Sequence, residues 1–234
     1  MLGGNWTHAE ATTLGSWWGE YAGDLVWVGV GTLILILYHL YVGACSRKDP
    51  HCTIQSVNRS ARRAWVQNIM SDRALAILGV QTLRNSTMAA TFLASTAVLL
   101  IMGVLSLSGQ ADKLADSWHI INVSGSHHPG LWIIKLLVLV ADFFVAFFSF
   151  AMSVRLFNHV GYQVTLPPSL RPSAVNPEQV ARHLNRAGAY YSIGMRAYFL
   201  SVPLVFWLFG PRLMAVTSVV LVVVLYHMDR IPRT

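Results

Sequence analysis

Charge is scarce in this chain. Asp, Glu, Lys and Arg make up 12% of the 234 residues, where soluble domains carry about 25%. The deficit falls in long apolar runs, which argues against a single water-soluble core and for membrane spans. Cysteine is scarcer still. Cys45 and Cys52, with His51 between them, are the only two, too few for a disulfide-built scaffold and a poor zinc site without a second pair. If their loop is cytoplasmic, a disulfide between them is disfavoured as well. The first 23 residues contain no Lys or Arg, so the basic region of a signal peptide is missing. Also missing are a Ser-His-Asp order, an HExxH helix, a glycine-rich phosphate loop and a CxxCH haem attachment. These absences remove the positive case for an enzyme without excluding one, and no catalytic residue is assigned.

What is present is hydrophobic, at 54% of the chain. The run 24–44 is long enough to cross a bilayer, and so are 86–107, whose helical pattern starts near Asp72, and 131–154. The stretch 187–228 would be about 63 Å long as one helix, roughly twice the hydrocarbon thickness. Gly210-Pro211 in its middle favours a turn, dividing it into 187–209 and 212–228. The expected fold is an all-α polytopic transmembrane bundle of about five spans, four being the alternative, with amphipathic interfacial helices. Residues 1–23 are expected to form an external interfacial segment, anchored by Trp17, Trp18 and Tyr21. Residues 24–234 are expected to form one transmembrane domain with cytoplasmic loops at 45–83 and 155–186.

Orientation follows from the basic residues. Arg47, Lys48, Arg59, Arg62, Arg63 and Arg73 follow the first span, Arg155, Arg171, Arg182 and Arg186 follow the third, and Arg230 and Arg233 close the chain. The other side has Lys113, with Lys135 and Arg212 near span ends. The positive-inside rule then predicts an outside N-terminus and a cytoplasmic C-terminus in a bacterial inner membrane. It also accounts for the net charge of +7 without nucleic acid. In 53–70 the apolar Val57, Ala61, Trp65 and Ile69 recur every fourth residue while Arg59, Arg62 and Arg63 lie elsewhere on the circumference, predicting an amphipathic helix on the inner leaflet. Asn176-Pro177-Glu178 reads as a helix start: a capping side chain, a proline at the first position and an acid at the positive dipole end. The proline-rich 166–177 reads as an extended linker.

Candidate functional residues fall into four groups. Lys135, Asp142 and Ser149 recur every seven residues on one face of the third span. Polar groups in hydrocarbon cost about 2.5–3.5 kcal/mol at mid-membrane, so this seam should face the interior, with Arg196 of the fourth span as the partner of Asp142. The pair reads first as a register-fixing ion pair and second as part of a proton or ion relay. In the second span every residue of 85–97 except Met88, Phe92 and Leu93 is Ala, Ser, Thr or Asn, with Ser86, Ala90 and Ala94 repeating every four and Thr87, Thr91 and Ser95 likewise. Such faces let helices approach closely, within a bundle or between protomers, and offer a hydroxyl-lined path as the alternative. Gln81, Arg84 and Asn85 form a polar collar at the cytoplasmic end of that span. His39, His159 and His227 fall near cytoplasmic helix ends, in the first and last case within the repeated Leu-Tyr-His of 37–39 and 225–227. They are the minor candidates for haem or metal; no cofactor is otherwise expected. The outer loop holds His119, His127 and His128, and the adjacent pair before Pro129 reads as exposed turn chemistry rather than a ligand set; the glycosylation-like Asn5-Trp6-Thr7 and Asn122-Val123-Ser124 are patterns common by chance.

The run Gln81-Thr82-Leu83-Arg84-Asn85-Ser86-Thr87-Met88-Ala89-Ala90-Thr91, continuing into Leu93-Ala94-Ser95-Thr96-Ala97, resembles an uncharacterised family of small multi-pass membrane proteins from bacteria and plants, known as a domain of unknown function. The region 62–65, Arg155 and the segment 190–211 around Arg196 are similar too. The resemblance spans roughly residues 28–230 and implies a multi-pass membrane fold, with no activity or site residue to carry over. The function expected is therefore a structural or assembly component, as a homo-oligomer or a subunit among other membrane proteins in the lipid bilayer. A small-solute or ion channel built on the polar seam is the first alternative, and a haem-binding electron-transfer subunit the second.

Overall fold

The computed structural model describes residues 25–45, 53–109, 129–173 and 175–229. The expectations attached to Trp17, Trp18, Tyr21, Arg47, Lys48, His51, Cys52, Lys113, the outer-loop histidines, Arg230, Arg233 and both glycosylation-like motifs lie outside them. The described residues form helices α1 (Leu25–Cys45), α2 (Ile54–Ser71), α3 (Ala76–Ser108), α4 (Pro129–Thr165), α5 (Pro177–Phe209) and α6 (Pro211–Asp229), with short 3-10 turns at Arg73–Leu75 and Pro168–Leu170. No strand occurs among the described residues. All helices except α2 are long and apolar enough to cross a membrane, giving five candidate spans.

Local chemistry accounts for the boundaries. Thr53 is extended and its Oγ1 accepts the Ser56 amide at 3.4 Å, starting α2. Asp72 Oδ1 accepts the Ala74 amide at 2.9 Å, opening the 3-10 turn that leads into α3. Asn176 Oδ1 accepts the Gln179 amide at 2.8 Å, with Pro177 at the first helical position and Glu178 in the first turn. Arg171, in the linker, donates from Nε to the Leu166 carbonyl at 2.8 Å and from Nη2 to the Met70 carbonyl at 3.0 Å. It thereby satisfies a backbone acceptor left open at the end of α2. Between α5 and α6 the chain reverses on Gly210 alone. Its φ of 151° is reached readily only by glycine, and Pro211 then starts the next helix.

The spans alternate in direction, so the ends of α1, α4 and α6 and the starts of α3 and α5 gather with α2 at one end of the bundle. There Val66, Ile69 and Met70 of α2 pack with Leu83, Phe157, Val160, Val164, Val180, Leu184 and Ala187. The middle of the bundle is built from small residues around one ring: Ala97, Ala146 and Ala197 surround Phe150. Ser153 Oγ crosses from α4 to donate to the Ala187 carbonyl of α5 at 3.0 Å, and the Tyr198 hydroxyl donates to the Leu93 carbonyl of α3. At the far end Ile101 and Val104 meet Leu136, Leu139, Phe143 and Leu208. Helix α1 is held chiefly against α6, through Leu35, Tyr38, Leu221 and Leu225. The outward surface carries large apolar side chains such as Ile77, Phe92 and Leu99, each more than 70% exposed. That would be a liability in water and is the expected face toward lipid.

The connecting stretches 45–83 and 155–186 hold α2, the end of α4 and the start of α5. Two features depart from expectation. Helix α2 does not lie on lipid alone. Its buried stripe is centred on Val66, Ile69 and Met70, Ala61 is exposed, and the helix docks onto α5 and α4. Cys45 is disulfide-bonded, against the expectation for a reducing compartment.

Candidate functional site

The polar seam of α4 does turn inward, and it divides into separate environments. Lys135 is 6% exposed, with its Nζ 5.6 Å from the centre of the Trp207 ring, a cation–π arrangement. Ser149 is buried. Asp142 is half-buried, and its Oδ2 is enclosed with no hydrogen-bond partner. The expected Asp142–Arg196 pair is not formed. Arg196 instead reaches Asp229 at the end of α6, Nη2 to Oδ2 at 3.4 Å, and the same oxygen accepts the Tyr38 hydroxyl of α1 at 2.9 Å. The physical reason is the turn at Gly210. Counted back from it, Asp229 lies only five residues, about 7 Å along a helix axis, deeper toward the α2 end than Arg196, a gap that a long arginine side chain spans. Three helices are thus tied by one carboxylate.

The two small-residue ridges of α3 separate as well. Ala90 and Ala97 are fully buried and Ser86 and Ala94 partly so, turned into the protomer, whereas Thr91 and Ser95 are exposed and Thr87 is half-buried. The Ala90 ridge is therefore used up within the bundle. Adding the bulk of leucine there overfills a closed space, which costs about 1–3 kcal/mol. Ala90→Leu should lower the unfolding temperature of the protomer, while Thr91→Leu, one position around the helix, should leave it unchanged. Thermal unfolding in detergent reads both, and equal behaviour would contradict the assignment of the faces.

Of the polar collar, Gln81 and Arg84 are exposed, and Asn85, also exposed, borders a cavity. The histidines are dispersed. The Nδ1 atoms of His39 and His227 lie 2.8 and 2.9 Å from the carbonyls of Leu35 and Val223, one turn back on their own helices, and His159 is exposed. No group of three or more His, Cys, Asp or Glu side chains suited to a metal occurs among the described residues.

The cavity bordered by Asn85 is the most chemically equipped place in the bundle. It measures about 860 Å³ and lies at the α2 end between α2, α3 and α5, within the roughly 300–1,000 Å³ range of ligand sites. Asn58, Thr82, Asn85, Ser86 and Ser192 supply neutral hydrogen-bonding groups, and Trp65, Leu83, Phe157 and Leu184 supply apolar wall. Among the described residues, the one cation in its lining is Arg62. The guanidinium is half-buried against the backbone of α5 at Gly188, where a Cβ would overlap it. It has no carboxylate partner among the described residues, and its Nη1 reaches only Asn185 Oδ1, at a long 3.5 Å. Burial, and after it the like charge of Arg59, pull its pKa below the ordinary arginine value. Asp229 also borders the cavity, with its charge already engaged by Arg196 and Tyr38. The neighbouring Arg63 and Arg182 share Glu178 at 3.5 and 3.8 Å on the surface, contacts of little energetic weight. A partly desolvated guanidinium with no carboxylate partner among the described residues, beside neutral donors and acceptors, is equipped to receive an anion. In the sequence Arg62 falls off the apolar stripe of 53–70, elsewhere on the circumference of the helix. The only local sign of its inward aim is Gly188, the gap into which it fits.

No curated protein and no solved structure matches this chain. A family model described as a protein of unknown function, DUF599, matches residues 26–234, and the chain belongs to that family.

Proposed function

We propose that this integral membrane protein binds an anionic amphiphile, with a phosphate-type head on Arg62 and its apolar tail along α3. The observation that carries the reading is the half-buried Arg62 guanidinium, without a carboxylate partner among the described residues, in a cavity of about 860 Å³. Thr82, Asn85 and Ala89 line the same cavity and are exposed on the outside of α3, so a chain has a lateral route from head to lipid. Basic pockets between transmembrane helices are a known way of holding lipid head groups. A hydrogen bond to a charged group contributes about 1.5–3 kcal/mol, so Arg62→Gln should weaken binding roughly tenfold or more. Gly188→Ala should do the same without touching the arginine, because the new Cβ evicts the guanidinium; Arg59→Gln, on the exposed side of α2, should not. The measurement is native mass spectrometry of the purified chain titrated with dioleoyl phosphatidic acid and, separately, with inorganic phosphate. Binding of the lipid alone supports the amphiphile, equal binding of free phosphate moves the source to solution, and an unaltered lipid affinity in Arg62→Gln refutes the reading.

A second reading keeps the assembly role. It is favoured by Thr87, Thr91 and Ser95, whose hydroxyls have no hydrogen-bond partner among the described residues although Thr91 and Ser95 face outward. Hydroxyls in this position are satisfied by a facing helix. Thr91→Leu with Ser95→Leu should then dissociate an oligomer on native gels while leaving the protomer folded.

For orientation, two features pull in opposite directions. The excess of arginine at the α2 end favours a cytoplasmic placement there, and the disulfide at Cys45 favours an oxidising side. Alkylation of the protein as extracted from membranes, before any reductant, decides between them: two modified thiols support the cytoplasmic placement, none the other.

A further inference from the structure

A second cavity, separate from the one at Arg62, lies deeper in the bundle where α1, α4, α5 and α6 meet. It measures about 550 Å³ and is lined by Val28, Leu35, Val138, Leu204, Trp207 and Met214 among others, nearly all apolar. One carboxylate enters it, Asp142. Oδ2 of that carboxylate is enclosed and accepts no hydrogen bond. Beside that apolar wall the half-buried carboxylate is poorly solvated, so a cation that reaches it from the cavity gains a charge-assisted hydrogen bond.

The charged and titratable groups on each helix around Asp142 are otherwise engaged. Lys135, two turns back on α4, stands over the Trp207 ring. Arg196 of α5 is bound to Asp229 of α6, and the same carboxylate takes Tyr38 of α1. His39 of α1 shares the cavity, with Nδ1 at 2.8 Å from the Leu35 carbonyl. Arg212, at the start of α6, is exposed. Among the described residues the cavity wall therefore presents one carboxylate and no Lys or Arg side chain. Ile36 and Leu40, which also line it, are 50% and 64% exposed on the outer surface of α1, and Val138 on α4 is 38% exposed. The mouth thus opens toward lipid between α1 and α4.

We infer that this cavity is a binding site for a lipophilic amine: an amphiphile whose protonated amino head pairs with the Asp142 carboxylate and whose hydrocarbon tail leaves between α1 and α4. Charge complementarity selects the amine over an anionic head, which the carboxylate repels, and over a neutral alcohol, which supplies the donor without the charge. Trp207 in the wall provides a built-in reporter.

The test uses the full chain in nanodiscs of zwitterionic lipid, titrated with 12-bromododecylamine, whose bromine quenches tryptophan. The Trp207 signal is isolated as the difference between the wild-type protein and Trp207→Phe. Saturable quenching is expected in the wild type, at least tenfold weaker in Asp142→Asn, and at least tenfold weaker with 12-bromododecanol than with the amine. Val138→Phe narrows the mouth without altering the carboxylate and should also weaken binding, which keeps the test valid if Asp142→Asn fails to fold. The inference is overturned if the alcohol binds as well as the amine, if Val138→Phe or a folded Asp142→Asn binds like wild type, or if quenching rises linearly without saturation, the mark of simple partition into lipid.

Discussion

Gly194→Val is expected to destabilise the bundle more than any other single small-to-large change among the described residues. A Cβ at Gly194 would stand 2.8, 2.8 and 2.9 Å from three atoms of the Phe150 ring, closer than van der Waals contact allows. The ring has nowhere to go. Phe150 is fully buried, its centre lies 5.6 Å from that of Tyr191 and 5.4 Å from that of Tyr198, and Ala97, Ala146 and Ala197 close around it. Overpacking of this kind costs about 1–3 kcal/mol per site and occasionally more. Gly194→Ala should fall within that range and Gly194→Val at or beyond its upper end. The partner substitution Phe150→Leu removes the obstructing atoms. Combined with Gly194→Ala, it should cost less than the sum of the two single changes, with a coupling of about 0.5–3 kcal/mol. Thermal unfolding of the four proteins in one detergent measures this cycle. Strict additivity would mean that the two residues do not share the contact.

Asp229→Ala should have the second-largest effect, and it should act at a distance in sequence. It removes the acceptor of both Arg196 and Tyr38, leaving a guanidinium in a site where the two side chains are only 23% and 19% exposed. Removing one partner of a fully buried pair costs about 3–5 kcal/mol; with this residual exposure we expect about 2–3 kcal/mol. Arg196→Met should cost a comparable amount, because it leaves Asp229 at the carbonyl end of α6, where a negative charge opposes the helix dipole. The double variant Asp229→Asn with Arg196→Met should recover much of the loss, since both charges leave together. Tyr38→Phe removes one hydrogen bond, about 1 kcal/mol, and its effect should concentrate in α1, which has few other anchors. Hydrogen exchange across 25–45 should rise in Tyr38→Phe and in Asp229→Ala, while the α3–α4–α5 centre stays protected in Tyr38→Phe. Unchanged exchange in α1 would show that this cluster does not hold the helix.

These two sites also mark where reading the chain succeeds and where it stops. Asn176-Pro177-Glu178 and Gly210-Pro211 were legible because capping and chain reversal are decided by neighbours a few residues away. The apolar runs were legible because a bilayer demands a minimum length of helix whatever surrounds it. The inward turn of Lys135, Asp142 and Ser149 followed from the cost of polar groups in hydrocarbon. The partner of Arg196 did not follow. Depth counted along separate helices cannot tell which faces meet, and Asp229, the last residue of α6, lies one position beyond the apolar run 212–228. For the same reason one ridge of α3 could not be told from the other: Ala90 and Thr91 differ by one position, and only the docking of α4 and α5 sends the first inside and leaves the second outside.

Helix α2 shows the division most clearly. Its amphipathic period is written in residues 53–70, and so is the membrane character of the five spans, because both depend on composition and local spacing. That Arg62 points inward to Gly188, that Asp142 is left without a donor in an apolar cavity, and that one carboxylate joins α1, α5 and α6 depend on rotations of helices about their own axes. Those rotations are chosen by how small residues such as Ala97, Ala146, Ser153 and Gly194 let backbones approach. The energy of that choice is shared among many weak contacts between residues far apart in the chain, so no short stretch of it carries the answer.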